Sequence, residues 1–470
     1  MHIHLIGIGG TGLSAIARVL LENGYTVSGS DRSLSPLARD LAAAGVQVTV
    51  GHHAAAIAGA DLVVRSSAVA DDNPEVAAAL AAGIPVLKRS EFLSRLMENK
   101  KCIAIAGTHG KTTTTAMITW MIADLGLDPS YIIGGVSKNL NANAHAGKSD
   151  LFIIEADEYD RMFLGLHPDI AVITTAEHDH PDCYPTLADY QAAFAAFAHQ
   201  VKPGGLLLAC AEDEGAVHTA QTAGPEKTVQ YYGSSQGMLR AVNIRSNQTG
   251  GMDFDLVQFP EQVLLTSVSL IVPGMHNVHN ACAALAVARW LNLDLNRAAQ
   301  ALSQFQGTGR RFDVLAKVWD VLLVDDYGHH PTEIRTTLEG ARLQFPRQRI
   351  WAVWQPHTYS RTQTLLQSFA GAFDAADFVL VTEIYAAREK ANHFSAAEVV
   401  RQMPHRNARF APTFDSVIEI LLTELLPGDI VLVLSAGDAD EINPRLYAAL
   451  EERQNRTTHT GSTSGGQNHD

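Results

Sequence analysis

Only four cysteines occur in 470 residues, Cys102, Cys183, Cys210 and Cys282, and no two form a CxxC pair. That scarcity excludes a disulfide framework and a zinc knuckle, and it fits reduced, buried thiols. Positive charge is short as well: 35 Lys and Arg stand against 50 Asp and Glu, a net charge of −15. A duplex nucleic-acid binder needs a basic face to neutralise phosphates, so no nucleic-acid partner is expected. A nucleotide site survives this test, because one glycine-rich loop with one lysine holds phosphates inside an acidic protein. No apolar run approaches the ~18 residues needed to span a bilayer. The opening MHIHLIGIGG lacks a basic stretch followed by an apolar one, and runs straight into a strand and a turn. The expectation is a cytoplasmic protein without a membrane partner. No repeat recurs at solenoid spacing.

The composition that is present, 46% hydrophobic and 18% charged, describes a globular chain. Its length exceeds one ordinary core and suggests about three domains. Short apolar runs at 3–6, 26–29, 46–50 and 61–65 read as strands, and helical patterns cover 12–22 and 74–82, the latter opened by Pro74. Such alternation predicts an α/β fold with parallel, doubly wound sheets. A new strand at 102–106 follows the polar segment 98–101, and further buried strands are expected at 151–155, 170–174 and 206–209. A β-branched run at 263–272 leads into a helix over 277–291. A third unit opens near Gly309, with strands at 321–325, 350–354, 378–382 and 430–435. The predicted domains are 1–99, 100–308 and 309–453. Residues 454–470, rich in Thr, Gly, Ser and Asn, read as a disordered tail.

Two glycine motifs carry phosphate chemistry. Gly7, Gly9 and Gly12, with Gly10 between them, form GxGxxG after the first strand and at the mouth of a helix. Backbone that close to a helix N-terminus can meet a pyrophosphate, and Asp31, ending the second strand, stands where an acid can bind a ribose hydroxyl. The same glycines would serve a tight turn alone. The second motif is stronger. GTHGKTT, comprising Gly107, Thr108, His109, Gly110, Lys111, Thr112 and Thr113, lies between strand and helix. Its amides can wrap phosphate oxygens, Lys111 can reach β/γ-phosphates, and the Thr112 hydroxyl can ligate Mg²⁺. A general phosphate loop wants glycine at 105; this chain has Ile105 there and glycine at 107, a shortened variant.

Acids and histidines then recur at strand ends, the crevice side of a parallel sheet. Glu155 lies inside EADEYD, and His180 inside AEHDHPD. These two suit the sparse protein ligation that Mg²⁺ takes beside a nucleotide, whereas Asp157, Asp160 and Asp182 read as solvated or capping charges. A zinc or di-metal hydrolase using His178, Asp179 and His180 is the rival, but it has no need of a phosphate loop. Asn277 and Asn280 are one helical step apart. Arg311, Asp326, Tyr327, His329, His357 and Arg361 follow in GRRF, DDYGHHPTE and QPHTYSR. A shared cleft explains their repeated placement after strands.

These segments, over the chain to about residue 450, resemble the Mur ligase family. The family signature joins a GTxGKT loop, an acid after the next strand, a histidine in a DH turn, and an HNxxN element. Here those are 107–113, Glu155, Asp179 with His180, and His276-Asn277 with Asn280. GIGGTG, GRRF, DDYGHHPTE and QPHTYSR resemble the alanine-adding branch. The resemblance implies a Rossmann-like UDP-binding domain, a central P-loop ATPase domain and a Rossmann-like C-terminal domain. It implies ATP and Mg²⁺ as cofactors and UDP-N-acetylmuramate and L-alanine as partners, in a monomer or homodimer. It assigns Thr112, Glu155 and His180 to the metal and Asn277, Asn280, Arg311 and Asp326 to ATP. Gly7, Gly9, Gly10, Gly12, Asp31, Ser66, Ser67 and Tyr327 go to the UDP-sugar. Lys111, His329, His357 and Arg361 are the catalytic candidates. Three departures stand out. Tyr159 replaces the usual serine and resembles the muropeptide-recycling branch; Thr358 replaces a basic residue; Phe194 stands where some sister ligases carry a carbamylated lysine, so no carbamate is expected.

Overall fold

The computed structural model describes residues 1–387, 389–391 and 393–461, with side chains as far as Arg456. The chain forms two compact units. One comprises Met1–Arg245, Met252–Ile271 and His276–Thr308; the other comprises Ser246–Gly251, Val272–Met275 and the chain from Gly309 onward. Three sheets run through them.

The first sheet is parallel, in the order Gln47–Val50, Thr26–Asp31, His2–Ile6, Leu62–Arg65, Val86–Lys88. The central strand comes first in sequence, so the chain winds outward from it in both directions. Helix Thr11–Glu22 follows that strand at once and buries Leu13, Ile16, Val19 and Leu20. Proline opens helices Pro36–Ala43 and Pro74–Ala81, where a missing N–H costs nothing, and Ser35 and Asn73 accept hydrogen bonds from first-turn amides.

The second sheet has ten strands. Its middle is Leu206–Cys210, Ile170–Ile173, Lys101–Ala106 and Leu151–Glu155, all parallel. These are continuous apolar runs because helices cover both faces, and every residue of Ile170–Ile173 and Leu206–Cys210 is buried. Met252–Gln258 and Val263–Ser269 pair antiparallel at one edge, with alternating burial that marks a half-solvated surface.

In the other unit the sheet runs Asp313–Val318, Val321–Asp326, Ile430–Leu434, Ile350–Trp354, Phe378–Val381, Ala408–Phe410. Only its first pair is antiparallel. Trp351 and Trp354 alternate to opposite faces of a fully buried strand, so each anchors one layer of core. The last helix runs Ile442–Gly461. The expectation of a structureless tail from 454 is therefore corrected over 454–461; 462–470 lie outside the described residues. Among the described residues no helix is long and apolar enough to cross a membrane.

Candidate active site

The first glycine loop leaves strand His2–Ile6 and enters helix Thr11–Glu22 through Gly10. Gly7 has φ +90°, a left-handed value that glycine alone adopts without strain. Asp31 serves the loop itself: the Gly9 amide donates to its Oδ2 at 2.8 Å. Gly12 is glycine for a reason spacing does not reveal. A Cβ there would lie 1.7 Å from Arg89 Nη1, so the guanidinium occupies the space that a side chain would fill. Arg89 also reaches Asp157 at 3.3 Å. Ser66 sits beside Gly7, and Ser67 is exposed.

The second loop connects strand Lys101–Ala106 to helix Lys111–Asp124. Gly107 has φ +142° and Gly110 φ +80°. A Cβ on Gly107 would come 2.0 Å from Thr174 Oγ1, and one on Gly110 would come 2.9 Å from Asn280 Oδ1. Gly107 is required by contact with the Thr175 backbone as well as by φ, and Gly110 chiefly by φ. Thr108 Oγ1 pairs with the Tyr190 hydroxyl at 2.8 Å, and the His109 amide donates to Thr175 Oγ1 at 2.9 Å. The loop is thereby held from the neighbouring strand end before any ligand arrives.

Lys111 opens the helix and folds back: its Nζ donates to the Gly107 carbonyl at 2.5 Å and to Glu158 at 2.9 Å. Burial disfavours its charge, yet Glu158, Asp157 and Glu155 outweigh that and hold the ammonium above its ordinary pKa. Thr112 Oγ1 donates to Glu155 Oε1 at 3.0 Å, and the Gly134 amide donates to Oε2 at 2.7 Å. Burial pushes the Glu155 carboxyl up, against the pull of Lys111. His180 has φ +54°, and its Nε2 stands 3.5 Å from Glu158 Oε1 and 3.7 Å from Asp179 Oδ2. Tyr159 packs edge-on against the His180 ring and donates to Asp182 at 3.0 Å. Asn277 and Asn280 are both buried in helix Met275–Trp290, with Asn280 Nδ2 3.4 Å from Asn277 Oδ1. Phe194 is a core residue that packs against Phe163 and Tyr190.

Sequence reasoning overlooked Glu158. It is the most buried acid of EADEYD and the partner of both Lys111 and His180, yet its spacing matches that of a surface charge. Nothing local could have picked it out from Asp157 or Asp160.

In the other unit, Asp326 ends a buried strand and accepts the amides of Phe312 and Gly328, each at 2.7 Å. Burial lifts its carboxyl to about 6, opposed by Arg311; Asp325, paired with Arg310, is likewise lifted to about 6. Arg311 reaches Glu333 at 3.3 Å and lies over the Tyr327 ring. The His329 ring meets Tyr327 on one side and His357 on the other, at 5.4 and 5.9 Å between centroids. Arg361 is 4% exposed and donates to the His357 carbonyl at 2.9 Å. Thr358 hydrogen-bonds Ser360 rather than presenting a charge. The four residues Tyr327, His329, His357 and Arg361 thus form one polar aromatic cluster.

A parallel sheet whose strand-end loop folds a lysine over two left-handed glycines, beside a hydroxyl–carboxylate pair, defines a phosphate-loop nucleotide-binding protein. Three domain families then narrow the class. The Mur ligase family catalytic domain matches residues 2–101, the Mur ligase middle domain 105–288, and the Mur ligase glutamate ligase domain 310–437. The chain belongs to the Mur ligase family. It is 41% identical to the UDP-N-acetylmuramate–L-alanine ligase of Syntrophus aciditrophicus, over 96% of this chain and 94% of that one. It is 42% identical to the enzyme of the same name from Salinibacter ruber, over 96% and 95%. Among solved structures, the UDP-N-acetylmuramate-alanine ligase MurC of Thermotoga maritima aligns with TM-score 0.82 at 28% identity, covering 96% of this chain and all of that one. The murein peptide ligase of Psychrobacter arcticus aligns with TM-score 0.71 at 27% identity, covering 96% and 99%.

Proposed function

We infer that this chain is an ATP-dependent amide ligase that joins L-alanine to the lactyl carboxylate of UDP-N-acetylmuramate, a step in peptidoglycan precursor synthesis. The observation that carries the reading is the full-length similarity to alanine-adding ligases, in a chain whose phosphate loop keeps Lys111, Thr112 and Glu155 in mutual reach. The higher structural similarity to an alanine-adding enzyme than to a murein peptide ligase favours L-alanine over a peptide as the amine.

A carboxylate is a poor electrophile, because its charge repels nucleophiles and oxide is a hopeless leaving group. Transfer of the ATP γ-phosphoryl group makes an acyl phosphate, which the amine of L-alanine attacks with release of phosphate. The protein's share is positioning and charge neutralisation. The amides around Gly107 and Gly110 would cradle phosphate oxygens, and Lys111 would offset charge on the transferring group. Asn277, Asn280, Arg311 and Asp326 are assigned to the nucleotide. The first glycine loop, with Gly7, Gly9, Gly10, Gly12, Asp31, Ser66 and Ser67, is assigned to the UDP-sugar. Tyr327, His329, His357 and Arg361 are assigned to the muramyl and amino-acid end.

The residues present fit Mg²⁺. A hydroxyl and a carboxylate share one hydrogen bond, and burial disfavours the free anion of that carboxylate, which a hard cation would relieve. Thr112 and Glu155 would hold the ion, with His180 as the third candidate. When bound, it neutralises the phosphoryl oxygens.

The test is phosphate release with the substrates supplied singly and together, and mass analysis of the product. Turnover is expected only when ATP, UDP-N-acetylmuramate and L-alanine are all present. Equal ATP hydrolysis without the sugar nucleotide or the amino acid would overturn the reading.

A further inference from the structure

Beside the phosphate-loop lysine lies a buried carboxylate that the proposed reaction does not yet use. Glu158 is 1% exposed. Its oxygens lie 2.9 and 2.8 Å from Lys111 Nζ, and one of them is 3.5 Å from His180 Nε2. Its backbone carbonyl accepts the hydroxyl of Tyr184 at 2.5 Å. Tyr184 is itself fully buried and packs edge-on against Tyr190, whose hydroxyl meets Thr108 of the phosphate loop. The residue is gripped from behind by the core and from in front by the loop lysine.

An ammonium has three protons to donate. Lys111 directs them at the Gly107 carbonyl, the Thr108 carbonyl at 3.3 Å, and Glu158. All three are used within the protein, so an incoming phosphate oxygen must replace one of them. Parting from Glu158 would leave a buried carboxylate with only His180 at 3.5 Å beside it, the costliest of the three exchanges. The carbonyl contacts therefore yield first, and the lysine turns toward the phosphate about an anchor that stays.

We propose that Glu158 is the positioning residue of the phosphate loop: it fixes where the Lys111 ammonium meets the transferring phosphoryl group, while His180 stands against the same carboxylate at Oε1. This rests on the ATP-dependent reading. Glu158 acts through Lys111, which both its oxygens meet, whereas the oxygens of Glu155 are engaged by Thr112 and Gly134.

The test uses the full chain as wild type, Glu158→Gln, Lys111→Met and the double variant. Melting temperature is read without nucleotide, affinity for a non-hydrolysable ATP analogue by calorimetry, and ligation by steady-state kinetics. Lys111→Met alone should lower the melting temperature, because it removes the ammonium from the buried Glu158 and leaves only His180 at 3.5 Å beside it, and adding Glu158→Gln should restore it. Glu158→Gln alone should weaken the analogue at least threefold and lower kcat at least tenfold, with the UDP-N-acetylmuramate KM within twofold of wild type. In the Lys111→Met background Glu158→Gln should cause no further loss of analogue affinity. Wild-type kcat and analogue affinity in Glu158→Gln would overturn the proposal, and so would a full additional loss in the Lys111→Met background. If Glu158→Gln does not fold, Glu158→Asp carries the test: the charge is kept one carbon short, so a near-native melting temperature with at least a fivefold lower kcat supports positioning, and an unchanged kcat refutes it. A wild-type enzyme that ligates nothing while the binding pattern holds would remove the ligase reading and leave only the anchoring of Lys111 toward bound nucleotide.

Discussion

At the scale of single residues, the phosphate loop is closed by a glycine whose φ and contacts both oppose a side chain. Gly107 combines φ +142° with a Cβ position 2.0 Å from Thr174 Oγ1 and 2.9 Å from the Thr175 amide. Gly107→Ala must move the neighbouring strand end or open the loop. Expected are a ligation rate at least 100-fold lower and a stability loss of about 1–3 kcal/mol, read by phosphate release and urea unfolding. Lys111→Ala should abolish ligation while UDP-N-acetylmuramate still binds in calorimetry, because the first glycine loop lies on a different sheet; an active variant would sink the role given to Lys111. Asp326 supplies a pH signature. Its folded pKa, lifted by burial to about 6, exceeds the ordinary 3.8, so the folded state holds its proton more tightly than the unfolded chain does. The associated stability is present below pH 4 and is lost as pH rises through 6. A lift of that size corresponds to about 3 kcal/mol. Urea unfolding between pH 4 and 7 should show a smaller decline in Asp326→Asn than in wild type, and identical slopes would contradict the assignment.

At the scale of elements, the parallel sheets deliver chemistry to their strand ends. Strand Leu151–Glu155 ends on Glu155, strand Val321–Asp326 ends on Asp326, and the phosphate loop starts where Lys101–Ala106 stops. The elements must therefore be locked in register. In the first sheet the lock is Glu75, fully buried at the start of helix Pro74–Ala81. It accepts from His4 at 2.8 Å and Ser30 at 2.7 Å, and its other oxygen stands 3.1 Å from His52 Nδ1. One side chain thus ties two strands and a loop to a helix. Glu75→Ala should cost about 3 kcal/mol by leaving those polar groups buried without their acceptor; an unfolding midpoint equal to wild type would refute it. The elements readable from sequence were the continuous apolar runs: every strand expected in the interior of a sheet is present. Those overlooked were Ser130–Ser137, Ala142–His145, Thr228–Gly233, Leu239–Ser246, Met252–Gln258 and the edge strands of the other two sheets, except Gln47–Val50. Their side chains alternate or mix with polar ones, and such strands take their shape from a neighbour instead of from their own pattern.

At the scale of the molecule, the branch of the family is a matter of which amine is accepted. Tyr159, where the resemblance leads one to expect serine, contacts His180 and Asp182, so it belongs to the surroundings of the phosphate loop. That places it beside the residues proposed for phosphate and metal, not beside those proposed for the amine. Thr358 lies in the other unit, beside Ser360, near the His357 and Arg361 cluster. L-alanine competed against a tripeptide in one ligation assay should be preferred at least tenfold, and preference for the tripeptide would move the chain to the recycling branch.

The features legible along the chain were those that contiguous residues encode. Strand–glycine–helix junctions, an acid closing a strand and two asparagines one helical step apart depend on local periodicity and on the backbone freedom of glycine, and both act over a few residues. Folding in space settled the partnerships. Glu158 meets Lys111 from 47 positions away, and Arg89 fills the space beside Gly12 while pairing with Asp157 from 68 positions away. Which acid is buried and which is solvated follows from the low-dielectric surroundings that distant segments build around it. No spacing rule carries that information, because charge pairing and burial are properties of proximity.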